Sequence, residues 1–128
     1  LLTISGDLWG NADTSAARTL TIAGGGDMYV GGSLLANGGA SFDHILAKSG
    51  TGTLTIAGVD STLDGVVNVT GGALTITDFR SLANNTSALN LGTTTTGVTL
   101  NIGTTTAATA AGLITSKAIV LVGTTGGA

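Results

Sequence analysis

The stretch Leu54-Thr55-Ile56-Ala57-Gly58 decides the fold, because its apolar-polar-apolar core keeps returning along the chain. Leu-Thr-Ile occurs four times and Leu-Asn-Ile once, at starting intervals of 18, 34, 20 and 26 residues, the long interval being about twice the usual step. The copies are Leu2-Thr3-Ile4, Leu20-Thr21-Ile22, Leu54-Thr55-Ile56, Leu74-Thr75-Ile76 and Leu100-Asn101-Ile102. A short strand that returns about every 20 residues is typical of a chain that winds through one coil per repeat. The sequence therefore predicts a β-solenoid.

A second series of short apolar segments runs out of phase with the first. Its members start 20, 17, 22 and 22 residues apart. They are Leu8-Trp9, Met28-Tyr29-Val30, Ile45-Leu46, Val67-Asn68-Val69 and Leu89-Asn90-Leu91. Two interleaved series with a shared period predict at least two strands per coil, joined by glycine-rich corners.

The Leu-Thr-Ile strands are expected to have one apolar and one polar face, because side chains alternate between the faces of a strand. Inward residues would stack coil on coil into an aliphatic column, made of Leu20/Ile22, Leu54/Ile56 and Leu74/Ile76. Outward residues would form threonine ladders on the surface, made of Thr19/Thr21, Thr53/Thr55 and Thr75/Thr77.

The composition favours the same fold. The chain has 22 glycines, no proline, 3% aromatic residues and 9% charged residues. Without proline nothing interrupts a ladder of backbone hydrogen bonds, and so few aromatic and charged residues are unlike an ordinary globular domain. The periodic aliphatic residues and a mean hydropathy of +0.50 argue against disorder, the alternative for a chain rich in Gly and Thr. We expect one all-β domain, residues 1–128, with about six coils.

Charge and cysteine content exclude several classes of partner and chemistry. A net charge of −3 with only four Lys and Arg gives no basic stripe, so nucleic acid is not expected as a partner. No apolar run approaches the ~20 residues that span a bilayer, and no signal peptide is present, so no membrane insertion by this segment is expected. The absence of cysteine excludes disulfides. The chain starts in a strand without Met, which suggests a processed or excerpted part of a larger protein.

The best-defined stretch is residues 48–77. It reads Lys-Ser-Gly-Thr-Gly-Thr-Leu-Thr-Ile-Ala-Gly, then Asp60-Ser61-Thr62-Leu63-Asp64-Gly65, then Val67-Asn68-Val69-Thr70-Gly71-Gly72-Ala73-Leu74-Thr75-Ile76. This pattern resembles the autotransporter-associated β-strand repeat of bacterial passenger domains, a Lys-x-Gly-x-Gly-Thr-Leu-Thr-Leu-x-Gly strand, a turn and a Val-x-x-Gly-Thr-Leu strand. Ile56 and Ala73 depart from that pattern. The resemblance implies a passenger-type right-handed parallel β-helix on the cell exterior or bacterial cell surface, with no shared catalytic residues.

The two ends of the sequence read into each other. Residues 125–128 followed by residues 1–4 give Thr-Gly-Gly-Ala-Leu-Leu-Thr-Ile, which is close to residues 70–76, and neither end carries a polar or charged cap. Our hypothesis is that each end meets a copy of the same unit, in a longer tandem array or in a head-to-tail fibre. Chance similarity and truncation of a longer chain are the alternatives. The predicted self-assembly interface comprises Leu1, Leu2, Thr3, Ile4, Val120, Leu121, Val122, Gly126, Gly127 and Ala128.

Residues suited to catalysis or metal binding are sparse. The single histidine, His44, follows Asp43, but one His without Cys does not make a zinc site, and no nucleophile-elbow motif accompanies it. We therefore predict no catalytic or cofactor-binding residues and a chain that is not an enzyme. Asp7, Asp27, Asp43 and Asp64 each precede a member of the second series. Stacked along one edge they would offer carboxylate oxygens to calcium, although Asp also favours turns without any metal.

Three functions remain open from the sequence. The first is a non-catalytic extracellular structural β-solenoid that stacks end to end into a fibre or an elongated surface adhesin, serving adhesion, biofilm or a cell-surface scaffold. The second is a β-helix that binds or cleaves polysaccharide, with host-cell or matrix glycans as partners. The third is an ice-binding surface built from the threonine pairs.

Residues 36–48 are expected to bulge out as a loop or short helix, and residues 93–112 fit strand, corner or loose excursion equally.

Overall fold

The computed structural model describes residues 1–9, 17–35, 44–83, 85, 87–103 and 117–122. The predictions for Asp43, Gly126, Gly127 and Ala128 lie outside this part of the chain. The same holds for residues 36–43 and 104–112, which belong to the two stretches that the sequence left unassigned.

Short strands make up almost all of the regular structure in the described residues. A 3-10 helix spans Phe79–Leu82. The strands are β1 (Leu2–Ile4), β2 (Leu8–Trp9), β3 (Arg18–Ile22), β4 (Met28–Val30), β5 (Leu34–Leu35), β6 (His44–Lys48), β7 (Thr53–Ile56), β8 (Val67–Val69), β9 (Ala73–Ile76), β10 (Leu89–Leu91), β11 (Thr99–Ile102) and β12 (Ile119–Leu121).

These strands form parallel sheets that are stacked as a β-solenoid. The first sheet has the order β1-β4-β7-β9-β11, and the second has the order β3-β6-β8-β10-β12. β2 and β5 pair as a small third sheet. Each turn of the chain therefore adds one strand to each main sheet, which confirms the predicted β-solenoid.

The structure corrects the assignment of repeats to faces. Leu20-Thr21-Ile22 does not stack on Leu54-Thr55-Ile56 but pairs with Leu46-Ala47-Lys48 in the second sheet. Leu2-Thr3-Ile4 pairs instead with Met28-Tyr29-Val30, which pairs in turn with Leu54-Thr55-Ile56. The predicted column Leu20/Ile22, Leu54/Ile56 and Leu74/Ile76 is therefore wrong for its first pair. An apolar-polar-apolar tripeptide suits either sheet equally well, so the repeated motif does not identify the face.

The expectation of about six coils is not supported. Each main sheet contains five strands among the described residues. Aligned residues of the first sheet, which begins with Leu2 opposite Met28, are 26, 26, 20 and 26 residues apart. In the second sheet, the corresponding steps are 26, 21, 22 and 30 residues. Most of these steps exceed the assumed step of about 20, because a coil passes through both sheets and a corner segment of variable length.

The core lies between the two main sheets and consists of aliphatic columns. Leu46, Leu54, Ile56, Val67, Val69, Leu74, Ile76 and Leu89 are fully buried within it. At the corners, glycine permits backbones of successive coils to touch. Gly50 has φ +77°, and a Cβ at Gly52 would overlap the carbonyl oxygen of Gly26 one coil below.

The described parts of the two unassigned stretches are now placed. The expectation of a loop or short helix for residues 36–48 is wrong for the last five residues, which form β6. Residues 93–112 contain a turn closed by the Thr93 hydroxyl, which accepts from the Thr96 N–H at 2.9 Å, and then β11. Within the described residues, no helix has the length and apolar character needed to cross a membrane.

Candidate assembly interface

The aspartates before the strands tie one coil to the next. The Asp7 carboxylate accepts from the Ser33 N–H at 2.8 Å, and the Asp27 carboxylate accepts from the Thr53 N–H at 2.8 Å. Both partners lie 26 residues further along, which is one coil. The Ser33 hydroxyl continues the series by accepting from the Asp60 N–H at 2.9 Å. These side chains supply acceptors to backbone N–H groups at corners where the strand ladder is interrupted.

Asp64 ties a coil to the one below it, through His44. Its carboxylate accepts from the His44 N–H at 2.6 Å and lies 3.0 Å from the ring Nδ1. Burial alone would raise the pKa of Asp64, but the hydrogen bonds from the backbone and ring of His44 outweigh that effect and the pKa is lowered. His44 itself is buried. His44 and Asp64, the latter a member of the predicted calcium edge, therefore join two coils.

The described aspartates do not form the single row that a calcium edge requires. Asp7 precedes β2, Asp27 precedes β4, and Asp64 lies before β8, so the three belong to different corners. Among the residues that the structure describes, no three His, Asp or Glu side chains gather closely enough to hold a metal ion. Calcium binding stays a prediction without a geometric argument from this part of the chain.

Lys48 is a cation inside the solenoid. It stands in the core column of the second sheet between Ile22 and Val69. Its Nζ donates to the corner carbonyls of Ser49, Gly50 and Gly71 at 3.0, 3.2 and 3.2 Å. Burial lowers the pKa of Lys48, and nearby Asp27 offsets part of that shift. The lysine that opens the sequence motif therefore closes a glycine corner by bonding carbonyl oxygens from two coils.

Two further buried polar groups were not singled out by the sequence analysis. The Lys117 Nζ donates to the Asn85 side-chain oxygen at 2.7 Å and to the Ser87 carbonyl at 3.2 Å, and burial lowers its pKa. The buried Asp78 caps the 3-10 helix and binds Arg80 at 2.7 Å. An acid two residues before a base in Asp78-Phe79-Arg80 was the available signal for this pair. The partners of Lys117 lie about 30 residues away in sequence, and no short motif contains them.

The outward face of the first sheet differs from the predicted threonine ladder. Its central column runs Thr3, Tyr29, Thr55, Thr75 and Asn101, in register across all five strands. The Asn101 amide donates to the Thr75 hydroxyl at 3.2 Å. Of the other predicted members, Thr53 lies in the same sheet opposite Ala73, whereas Thr19 and Thr21 belong to the second sheet and Thr77 is buried.

The two ends of the described stack expose apolar side chains. Leu1 precedes β1, the outermost strand of the first sheet, and is 88% exposed, and Leu2, the first residue of β1, is 60% exposed. At the opposite end, Leu121 in β12 is 77% exposed, and Val120 and Val122 are partly exposed. The described members of the predicted self-assembly interface therefore lie on two opposite end surfaces and not on a single surface.

No protein-family model, curated protein or solved structure matches the chain. The resemblance of residues 48–77 to the autotransporter-associated repeat therefore stays a prediction from their sequence.

Proposed function

We propose that this chain is a non-catalytic structural β-solenoid that elongates by stacking end to end, outside the cell or on a bacterial cell surface. The observation that carries the proposal is the pair of apolar end surfaces, with Leu1 and Leu2 at one end and Leu121 at the other. An outermost strand with apolar side chains is a template for pairing with a further strand. Because the two end surfaces differ from each other, copies that join through them associate head to tail. The coil is taken as right-handed, as parallel crossovers almost always are.

A structural role agrees with what the ionisable side chains contact. Asp7 and Asp27 bond backbone N–H groups of the next coil. His44 and Asp64 bond each other across two coils, and Lys48 bonds corner carbonyls. Each of these groups therefore contributes to holding successive coils together. This proposal makes the partner a second copy of the chain, in a fibre, an adhesin stalk or a biofilm scaffold.

Electron microscopy of the purified chain, with diffraction from aligned samples, tests the proposal. We expect long filaments with a meridional reflection near 4.8 Å, the spacing between strands. Leu121→Lys should abolish filaments, because it places a charge on the apolar end. Thr94→Lys adds the same charge on an exposed turn and should leave them intact. Monomeric rods from the unmodified chain at all concentrations would contradict the proposal.

Glycan binding is the second candidate, and Tyr29 is the observation that favours it. Its side chain is 38% exposed on the outward face between Thr3 and Thr55. Sugar rings stack on aromatic faces, and hydroxyl groups beside the ring supply hydrogen bonds. In a pull-down on insoluble neutral polysaccharide, Tyr29→Ser should lose retention and Tyr29→Phe should keep it. Equal retention of both variants would remove this candidate.

Polysaccharide cleavage and ice binding have less to support them. The threonine pairs that suggested an ice-binding array are split between two sheets, and Tyr29 interrupts the first column. A thermal-hysteresis measurement and a sugar-cleavage screen test these two functions directly.

A further inference from the structure

Backbone hydrogen bonds between successive strands of the first sheet follow one rule, which concerns the residues that each strand uses. The Leu2 N–H donates to the Asp27 carbonyl at 2.9 Å, and the Ile4 carbonyl accepts from the Gly31 N–H at 2.8 Å. Leu2 and Ile4 lie in the core-facing column. The earlier strand thus bonds through its core-facing residues, and the later strand bonds through the residues between them.

The second sheet obeys the same rule. The Leu89 N–H donates to the Ala118 carbonyl at 2.9 Å, and the Leu91 carbonyl accepts from the Val122 N–H at 2.8 Å. Leu89 and Leu91 are core-facing residues of the earlier strand, β10. The solenoid is therefore polar along its axis, because its two ends present different backbone groups.

The rule determines what each outermost strand presents. β11 bonds β9 through Thr99 and Gly103, whose N–H groups donate to Gly72 and Ile76. In parallel strands alternate residues face opposite neighbours. The backbone groups of Leu100 and Ile102 in β11 therefore point away from β9. By the same alternation, those of Thr3 in β1 point away from β4.

These two sets of groups are complementary. With β1 of one copy laid on β11 of another, the Thr3 N–H meets the Leu100 carbonyl, and the Ile102 N–H meets the Thr3 carbonyl. We infer that a second copy stacks head to tail in a single register, with Thr3 opposite Asn101 and Thr21 opposite Val120. This inference rests on the proposed end-to-end assembly and specifies its geometry.

The side chains of the first sheet favour this register independently. β11 already pairs with Leu74-Thr75-Ile76 on one side. The strand brought to its other side, Leu2-Thr3-Ile4, is the same tripeptide. Leu2 then covers Leu100 and Ile4 covers Ile102, as Leu74 and Ile76 do from below.

A polar contact also repeats at the junction. The Asn101 amide donates to the Thr75 hydroxyl at 3.2 Å, and Thr3 brings an identical hydroxyl to the next position of the same column. Two β11 strands brought together would pair antiparallel, which would repeat neither the parallel register of β11 on β9 nor the Asn101–Thr contact. The head-to-tail junction repeats both, and it produces an open filament.

Paired cysteines test this register, and the unmodified chain has no cysteine to interfere. Thr3→Cys combined with Asn101→Cys places two thiols on adjacent parallel strands at the junction, about 4.8 Å apart at their Cα atoms and within disulfide range. Inside one chain the same positions are separated by four strand spacings, about 19 Å. A disulfide between them must therefore join two copies.

Two matched pairs serve as controls. Thr3→Cys with Thr99→Cys is offset by two residues along β11, which separates the Cα atoms by about 8 Å, too far for a disulfide. Thr55→Cys with Thr75→Cys lies in register within one chain and should give a disulfide-linked monomer. The measurement is non-reducing electrophoresis after mild oxidation, beside electron microscopy of each sample.

We expect a ladder of covalent dimers, trimers and longer species from the Thr3/Asn101 pair, at least ten times more abundant than from the Thr3/Thr99 pair. Filaments in which Thr3/Thr99 links as well or better would overturn the register while leaving end-to-end assembly standing. Monomers by microscopy with no ladder from either pair would overturn the assembly and the register together.

Discussion

Leu2-Thr3-Ile4 and Leu74-Thr75-Ile76 are the same tripeptide in the same sheet, yet their environments differ. Leu2 is 60% exposed, whereas Leu74 is fully buried. β9 lies between β7 and β11, and β1 has a neighbouring strand only on one side among the described residues. The difference shows that the core of this solenoid is made by the neighbours of a strand and not by its sequence.

The largest effect is expected from truncating the two leucines. Leu74→Ala should lower the free energy of unfolding by about 2–5 kcal/mol, because it leaves a cavity between buried columns. Leu2→Ala should cost less than about 1 kcal/mol, since most of that side chain is already in water. Urea denaturation of monomeric samples measures both. Equal losses would show that the end coil is as tightly packed as the middle.

A glycine pair one coil apart gives the next effect. Gly52 and Gly26 occupy equivalent corners, but a Cβ at Gly52 would overlap the Gly26 carbonyl, whereas a Cβ at Gly26 meets nothing within 4 Å. Gly52→Ala should therefore lower the free energy of unfolding by about 1–3 kcal/mol, and Gly26→Ala should leave it nearly unchanged. Thermal unfolding followed by circular dichroism makes the measurement. A tolerated Gly52→Ala would mean that the coils are not in close contact there.

Lys48 and Ile22 share a column, and pH separates their contributions. The pKa of Lys48 is lowered by burial. Between that lowered value and 10.5 the unfolded chain binds more protons than the folded chain, so stability should rise with pH. Lys48→Met should flatten this rise, and Ile22→Met should not alter it. Unfolding midpoints from neutral pH to pH 10.5 test the expectation, and an unchanged slope in Lys48→Met would contradict it.

The smallest effect is expected at Asp64, whose carboxylate is partly exposed. The pKa of Asp64 in the folded chain is lowered from its ordinary value of 3.8. Its charge therefore contributes to stability above pH 3.8, and this contribution is lost as the pH falls through the lower pKa of the folded state. Asp64→Asn keeps an oxygen that accepts from the His44 N–H but removes the charge. Acid unfolding of the variant should therefore be less steep below pH 3.8 than that of the unmodified chain. Superimposable acid transitions would exclude a stabilising charge at this site.

Recurring tripeptides were enough to predict the fold class, but not the assignment of strands to faces. Strands such as Leu54-Thr55-Ile56 are recognisable because apolar and polar residues alternate, and the recurrence of the tripeptide along the chain predicts parallel stacking. The face is not encoded locally, because steps between aligned residues vary from 20 to 30 and the tripeptide fits both sheets. A register that averages these steps places Leu20 in the wrong sheet.

The polar contacts between successive coils were less predictable still. Lys48 bonds carbonyl oxygens, and every residue has a carbonyl, so the sequence does not indicate which of them converge. Asp7 and Asp27 were recognised as a series, but their partners are backbone N–H groups 26 residues away. Leu1, Leu2 and Leu121 are exposed in the structure, and their role in self-assembly stays a prediction.

The variable step also defines where this architecture accepts added residues. The step from Leu74 to Leu100 is six residues longer than the step from Leu54 to Leu74. The longer coil accommodates these residues without any shift in the pairing of Leu100 with Leu74. The turn at Thr93–Thr96 belongs to that longer coil, and its middle is exposed. A peptide grafted there would project sideways from every unit of a filament, at a regular axial interval. The corner would then display the peptide, and the stacked sheets would set the spacing between successive copies of it.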